Sequence, residues 1–393
     1  MLITISNLYP RPDRPQRGMF NAQLFAAFGE LTRVRNICLV PEWRPWRWPG
    51  IDRWKDPSGA LPETRYLPVF YLPFLGRDWN WLSYRRRLRT VGRPEEPCDA
   101  VYSAWLYPDG VAATGLALEW GVPSWIMVQG SDIYHLQSPR RHRVILDACA
   151  RAEGIVCVAE PLAGALAAAG VDRRKIHVIP TGVDSRLFRY RDPDEAWKTL
   201  PKAGLPERWL SRREQRLKTV LFVGNLVAEK GPDVLLNAWR ILQATAGQCP
   251  PALLLMIGSG PLRRALEGQA RAGGAGDTVA FLGPRPHGEI ALWMNAADVL
   301  CLPSRTEGTP NVAIEALASG LPLVASDVGG CRDLLQGEPA ARVVPAGDPE
   351  TLAEALAGLL RESVDRAQMV ERHLGRWSWQ TEAAKILELM GRK

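Results

Sequence analysis

Short runs of aliphatic and β-branched residues alternate along the chain with stretches whose apolar positions recur every three to four residues. Residues 2–7 read as a strand, and the stretch after them puts Phe20, Leu24, Phe28 and Leu31 on one helical face. Further strands are expected near 34–40, 64–70, 99–105, 123–129, 154–159 and 175–180, with helices such as 140–150 and 161–169 between the later ones. After Phe188 the rhythm stops. Residues 190–217 are charged, carry Pro193, Pro201 and Pro206, and show no clean strand period. A second series starts at Thr219–Val223, with strands near 252–257, 278–282, 298–302, 322–326 and 341–345. Helices alternate with them near 231–244, 260–272, 287–296, 311–319 and 349–362, and 377–390 is a last amphipathic helix. Alternation of this kind builds βαβ units and a mainly parallel sheet. The pattern therefore predicts an α/β chain of two doubly wound, Rossmann-like domains, 1–185 and 186–376, with a ligand cleft at the carboxyl ends of the strands.

Composition narrows the classes. With 393 residues, 46% hydrophobic and 23% charged, the chain is neither disordered nor collagen-like. No apolar run approaches the roughly 18 residues of a membrane span, and no basic, then apolar leader precedes the first strand. A cytoplasmic placement follows as an expectation. The seven cysteines form no CxxC pair and several sit in apolar runs, as in Ile37-Cys38-Leu39-Val40, so they read as small buried hydrophobes. The five histidines have no HxH or HxxxH spacing, and no metal or other cofactor is expected.

Two segments carry candidate chemistry. In Val223-Gly224-Asn225-Leu226-Val227-Ala228-Glu229-Lys230-Gly231-Pro232 a strand gives way to a helix. Gly224 lets a ligand approach backbone there, the helix N-terminus favours an anion, and Lys230 supplies a point charge for a phosphate. The chain has 8 Lys against 41 Arg, so general usage does not explain Lys230, although a plain surface lysine in a βα loop fits equally well. The second segment runs from Pro303 to Pro322 and sets Glu307 and Glu315 either side of a Gly/Thr/Pro/Asn loop that enters a helix. Gly308 allows close approach, and the backbone N–H groups near Asn311 and Val312 suit a diphosphate. A solvated helix carboxylate is disfavoured for Glu315 by its neighbours Val312, Ile314 and Leu317. For Glu307 the plain alternative is a charge favoured by the helix dipole.

Together the two segments resemble the retaining glycosyltransferases of family 4, which have the GT-B fold, through their G-x-L-x-x-x-K-G loop and E-x7-E motif. Val178-Ile179-Pro180-Thr181-Gly182-Val183-Asp184 with Phe188, Ala325-Ser326-Asp327-Val328-Gly329-Gly330 and Val344-Pro345-Ala346-Gly347-Asp348-Pro349 also match family turns. The matches cover about 178–390 well and the N-terminal half loosely. The resemblance implies that the final helix, 377–393, packs back on the first domain, which binds the acceptor. The second domain would bind the nucleotide-sugar. Lys230 would meet the donor phosphates, Glu315 the ribose hydroxyls, and Glu307 the transferred sugar near its anomeric carbon. Gly224, Asn225 and Gly308 to Val312 would complete the donor site. In the first domain, Arg17-Gly18-Met19-Phe20 resembles the glycine loop that closes over donor and acceptor; an ordinary turn before a helix is its plain alternative. Gln129-Gly130-Ser131-Asp132 stands where many relatives have His-Gly-x-Asp, and Asp132 also reads as a helix cap.

Two positions depart from the family. Asn225 replaces an arginine that helps neutralise the diphosphate, leaving Arg17 and Arg305 as candidate substitutes. Gln129 replaces a histidine and removes a titratable group. The resemblance points to a branch that builds bacterial surface polysaccharides from nucleotide-sugars on glycan or lipid-linked acceptors, without metal. A non-catalytic assembly partner and a GT-B nucleotide-sugar epimerase are the alternatives. A nicotinamide dehydrogenase is disfavoured because Ser6-Asn7-Leu8-Tyr9-Pro10 follows the first strand in place of GxGxxG.

Charge is uneven. The formal +7 divides into +6 for 1–183 (23 basic, 17 acidic) and +1 for 184–393 (26 basic, 25 acidic). The stretch 33–93 alone holds 13 basic and 5 acidic residues and six of the 15 Trp. Within it, 43–48 and 79–87 interleave cation and aromatic. No nucleic-acid fold accompanies them, so nucleic acid is not an expected partner. A solvated basic face is one reading. An anionic membrane surface, on the inner face of the cell membrane, is the other.

Overall fold

The computed structural model describes residues 1–11, 13–14, 17–43, 62–200, 217–244, 249–373 and 375–391. Its chain divides into two compact units, Met1–Gly182 with Ser378–Lys393, and Val183–Trp377.

The first unit contains strands β1 (Leu2–Ser6), β2 (Val34–Glu42), β3 (Glu63–Phe70), β4 (Ala100–Ser103), β5 (Ser124–Val128), β6 (Gly154–Cys157) and β7 (Ile176–Val178). They pair in parallel in the order β3-β2-β1-β4-β5-β6-β7. Every residue of β1 is buried, as expected of a parallel strand covered on both faces. Helices α1 (Met19–Leu31), α2 (Asn80–Arg89), α3 (Val111–Trp120), α4 (Pro139–Arg151) and α5 (Glu160–Ala168) connect the strands. Leu24, Phe25 and Phe28 of α1 enter one core cluster with Tyr102, Ile126 and Val156.

The second unit repeats the architecture. Strands β8 (Lys218–Val223), β9 (Ala252–Ile257), β10 (Val279–Gly283), β11 (Val299–Leu302), β12 (Leu323–Ser326) and β13 (Ala341–Val344) lie in the order β10-β9-β8-β11-β12-β13, all parallel. Its helices are α6 (Pro193–Thr199), α7 (Pro232–Ala244), α8 (Arg263–Ala272), α9 (His287–Ala296), α10 (Asn311–Ala318), α11 (Cys331–Leu335), α12 (Pro349–Arg361) and α13 (Arg366–His373). The last helix, α14 (Trp379–Leu389), belongs to the first unit. There Ala383, Ile386 and Leu387 join the core, Trp379 Nε1 donates to Gln23 Oε1 at 3.0 Å, and Gly182 lies against the Trp379 backbone.

Several elements differ from the sequence expectation. Residues 190–217 contain α6, capped by Asp192, which accepts from the amides of Asp194 and Glu195. Trp197 of that helix packs edge-on against Trp293 at 6.2 Å. Residues 201–216 lie outside the described residues. Helix α3 is buried around most of its surface, so no apolar stripe marks it in the sequence. The 79–87 segment is largely α2, whose Tyr84 and Leu88 are buried. Its Arg85 and Arg89 clamp Glu119 of α3 at 2.8 and 2.5 Å, which removes Arg85 from a free cationic face. Of the 43–48 segment only Trp43 is described; it is exposed and tilted against Phe70. Cys98 and Cys249 are half-buried, and the other five cysteines are buried.

Candidate active site

Each sheet reverses direction at one point, between β1 and β4 in the first unit and between β8 and β11 in the second. Loops leaving the carboxyl ends of two such strands diverge and open a crevice. In the second unit those loops are 224–231 and 303–310. Gly231, at φ 60°, brings them together: a Cβ there would lie 2.0 Å from the Pro303 carbonyl oxygen. Arg305 ties them further, donating its amide to Glu229 O at 2.8 Å and its guanidinium to Ala228 O and both Asp233 oxygens. That bidentate pairing occupies Arg305, so it is a strut between loops and not the spare cation expected for a diphosphate.

The zipped loops place Lys230 Nζ 2.6 Å from Glu307 Oε1, and Ser304 Oγ donates to the same oxygen at 2.7 Å. Glu307 is almost buried, with 8% of its side chain exposed, whereas Lys230 is one-third exposed. A third loop supports the pair from below. Gly330 N donates to Gly308 O at 2.8 Å, and Gly329 at φ 56° sits against the Glu307 carbonyl. Thr309 leads into α10, whose N-cap residue Pro310 provides no side-chain cap, so Asn311 and Val312 open the helix at its positive end. Gly224 donates its amide to Ile257 O, while the Asn225 side chain is exposed.

Glu315, one turn into α10, is mostly buried, and burial pushes its carboxyl up to about 7. His287 Nε2 stands 4.0 Å from Glu315 Oε1, and burial holds the imidazole below its ordinary range. Neither Ser304 nor His287 is marked out by the sequence pattern. Ser304 lies within the Pro303–Pro322 segment, and His287 follows Pro286 just past the carboxyl end of β10, which is the available signal. Among the described residues no cluster of three His, Cys, Asp or Glu is arranged to hold a metal ion.

In the first unit the loops after β1, β4 and β5 meet. Gly18, at φ 66°, packs on the Leu8 carbonyl, where a Cβ would approach to 2.3 Å. Asn21 Nδ2 donates to Leu8 O at 2.8 Å, and Gln129 Nε2 donates to Asn21 Oδ1 at 2.7 Å. Gln129 thus fixes the glycine loop that carries Arg17 and Gly18. Asp132 does not cap the segment that follows it. It accepts from the backbone amides of Gln129, Gly130 and Leu106, tying the β5 loop to the β4 loop. Asp109, absent from the expected site residues, is wholly buried and accepts from the Asn7 amide at 2.7 Å and its Nδ2 at 3.1 Å. The Pro-Asp-Gly run after β4 is the signal that could have found it.

Burial outweighs those hydrogen bonds, raising Asp109 to about 7 and Asp132 to about 6. A carboxyl raised in the folded state holds a proton that the unfolded chain has already released, so stability falls as pH rises between the two values. Asp109, Asp132 and Glu315 share that sign. Glu119 has the opposite sign: its arginine partners hold it at about 2, and its contribution is lost only in acid. His135, His177, His287 and His373, held below the ordinary imidazole range by burial, carry the opposite sign over the same window. Asp109→Asn is therefore read against the native chain: the change in thermal midpoint from pH 5.5 to pH 8 is expected to be more favourable in the variant, and the same change in both would contradict the assignment.

Comparison with known proteins gives matches to glycosyltransferases in both halves of the chain. Residues 217–362 match the model described as Glycosyl transferases group 1, and residues 51–187 match Glycosyltransferase Family 4. The D-inositol 3-phosphate glycosyltransferase of Jonesia denitrificans is 31% identical over 228 residues, covering 56% of this chain and 52% of that protein. The protein of the same name from Corynebacterium urealyticum is 37% identical over 179 residues, covering 44% and 42%. The chain spans about half the length of these curated relatives. Among solved structures, Anabaena Alr3699/HepE in complex with UDP and glucose superposes with a TM-score of 0.75 at 18% identity, over 100% of this chain and 99% of that one. Sucrose-phosphate synthase (tll1590) from Thermosynechococcus elongatus gives 0.76 at 21% identity, over 99% and 98%. The likeness confirms the two-domain GT-B fold. With the Glycosyltransferase Family 4 match ahead of the Glycosyl transferases group 1 match, the chain is similar to glycosyltransferases in both of its halves.

Proposed function

We propose that the chain transfers a sugar from a nucleoside-diphosphate sugar to an acceptor hydroxyl, with retention of configuration and without a resident metal. The observation that carries this reading is the Lys230–Glu307–Ser304 cluster at the sheet reversal, beside the N-terminus of α10. The barrier to transfer is charge separation. The anomeric carbon parts from a diphosphate oxygen as positive charge grows on the ring and negative charge on the departing phosphates. Lys230 and the α10 amides face the negative charge, and Glu307 lies where a carboxylate holds the sugar. The new glycosidic bond forms to the acceptor oxygen, whose proton leaves with the nucleoside diphosphate. Glu315, with His287 beside it, is placed to accept from ribose hydroxyls. Alr3699/HepE was solved with UDP-glucose, which supports a donor of this class.

On this reading the second unit binds the donor and the first the acceptor, with Arg17, Gly18, Gln129 and Asp132 shaping the acceptor loops. A lipid-linked glycan of surface-polysaccharide assembly remains one acceptor class. Its support is the outer face of α2, where Trp79 is exposed beneath the Arg140 guanidinium and Leu82 and Arg86 are also exposed. The relatives' names give the other class, a small phosphorylated polyol. Mass spectrometry of products from a panel of nucleotide-sugars against both acceptor types tests the reading. Transfer is expected with at least one pair. Nucleotide-sugar binding with no product from any pair would favour a non-catalytic partner, and flotation with anionic vesicles tests the α2 face.

A further inference from the structure

The last carbonyls of a helix have no partner within it, and where two helices end side by side both sets need donors from elsewhere. At the carboxyl ends of α9 and α10 a single side chain serves both. Arg366, the first residue of α13, donates from Nε to Gly320 O at 2.8 Å and from Nη1 to Asn295 O and Ala297 O at 2.9 Å each. Its Nη2 donates to Met294 O at 2.9 Å and to Ser319 O at 3.4 Å. A guanidinium holds five N–H groups in one plane, and five carbonyls receive them. Met294 and Asn295 belong to the last turn of α9 and Ala297 follows it, while Ser319 and Gly320 follow α10.

The surrounding chain is shaped for this attachment. Gly320, at φ 66°, turns the backbone out of α10, and a Cβ on it would lie 2.5 Å from the Arg366 carbonyl oxygen. Three residues along α13, Met369 is wholly buried in the core cluster that also holds Met294 of α9 and Leu317 of α10. One face of α13 therefore brings a cation and then an apolar side chain to the two helix ends. The cation also suits its place electrostatically, since both macrodipoles have their negative ends there.

The opposite ends of the same two helices carry the candidate site. His287 begins α9, Asn311 and Val312 begin α10, and Glu315 lies one turn in, 4.0 Å from His287. At 1.5 Å per residue the helices are about 15 and 12 Å long, short enough to move as rods. Pinning both carboxyl ends to one guanidinium fixes how far each rod reaches towards the site. We infer that Arg366 is a positioning residue for the donor site. It holds α9 and α10 in register, so that the His287–Glu315 spacing and the α10 amides stay matched to a nucleoside diphosphate. The nature of that ligand rests on the transferase reading; the coupling of the two helices does not.

The test uses the full chain with Arg366→Met, Arg366→Lys and, as a control for stability alone, Leu360→Ala. Leu360 is buried in the last turn of α12, in the core on the other face of the sheet. Binding of UDP, ADP and GDP is read by calorimetry under conditions where each variant is fully folded. The diphosphate that the native chain binds best is expected to bind about 10-fold more weakly to Arg366→Met and equally well to Leu360→Ala. Arg366→Lys keeps the charge but has three donors in place of five, so a smaller loss is expected, and it carries the comparison should Arg366→Met not fold. Hydrogen exchange within 287–297 and 311–319 should quicken in the Arg366 variants and not in the control. Native affinity in both Arg366 variants, an equal loss in Leu360→Ala, or unchanged exchange in the two helices would overturn the positioning role. A native chain that binds none of the three diphosphates, with exchange quickened only by the Arg366 variants, would sink the donor reading and leave the helix coupling standing.

Discussion

Lys230→Ala is expected to lower the rate of sugar transfer by about 100- to 1000-fold while the chain stays folded. The lysine is the cation nearest to where the departing diphosphate must stand, and the exposed Asn225 adds no charge to share its work. Arg305 cannot replace it, because both its terminal nitrogens are held by Asp233. The stability cost should be small, about 1 kcal/mol, since a pair with a one-third exposed lysine is screened by solvent and Ser304 still donates to Glu307. Glu307→Gln should be equally damaging to transfer. An amide keeps an acceptor for Ser304 but loses the charge that faces the positive sugar. Single-turnover transfer, read beside a denaturant titration, separates the two effects. Turnover at the native rate in either variant would remove these residues from the mechanism.

Gly329→Ala should do comparable damage by a different route. Gly329 has φ 56°, in the left-handed region, and a Cβ on it would lie 2.2 Å from the Glu307 carbonyl oxygen. The strain of that conformation costs roughly 1–2 kcal/mol, and relieving the overlap about 1–3 more. Relief requires movement of the Glu307–Gly308 backbone, which carries the carboxylate proposed to hold the sugar. Gly337→Ala provides the comparison: its φ of 79° imposes similar strain, but nothing lies within 4 Å. The expected result is stability loss in both variants and a fall in kcat, measured on fully folded protein, in Gly329→Ala alone. Equal kcat in the two would show that the turn does not position Glu307.

The Asp327-Val328-Gly329-Gly330 turn was legible as a motif, but what it supports was not, because its neighbour in space is 22 residues away in sequence. Arg305 makes the same point in reverse. Beside a candidate phosphate site it reads as a spare cation, yet the first turn of α7 brings Asp233 to it and neutralises it. Gln129 and Asp132 lie in a recognisable segment, but their partners come from elsewhere, Asn21 from helix α1 and Leu106 from the loop after β4.

The sequence by itself determined the alternation of strands and helices, the break after Phe188, and the two loops bearing Lys230 and the paired glutamates. These are properties of local periodicity and spacing, which one chain carries without reference to its neighbours. Only the tertiary structure decided what each charge meets. It paired Lys230 with Glu307, sealed Asp109 behind Asn7, committed Arg85 to Glu119, and set Arg366 across the ends of two helices. A charge acquires its function from what surrounds it, and in a doubly wound sheet those surroundings come from strands far apart in sequence.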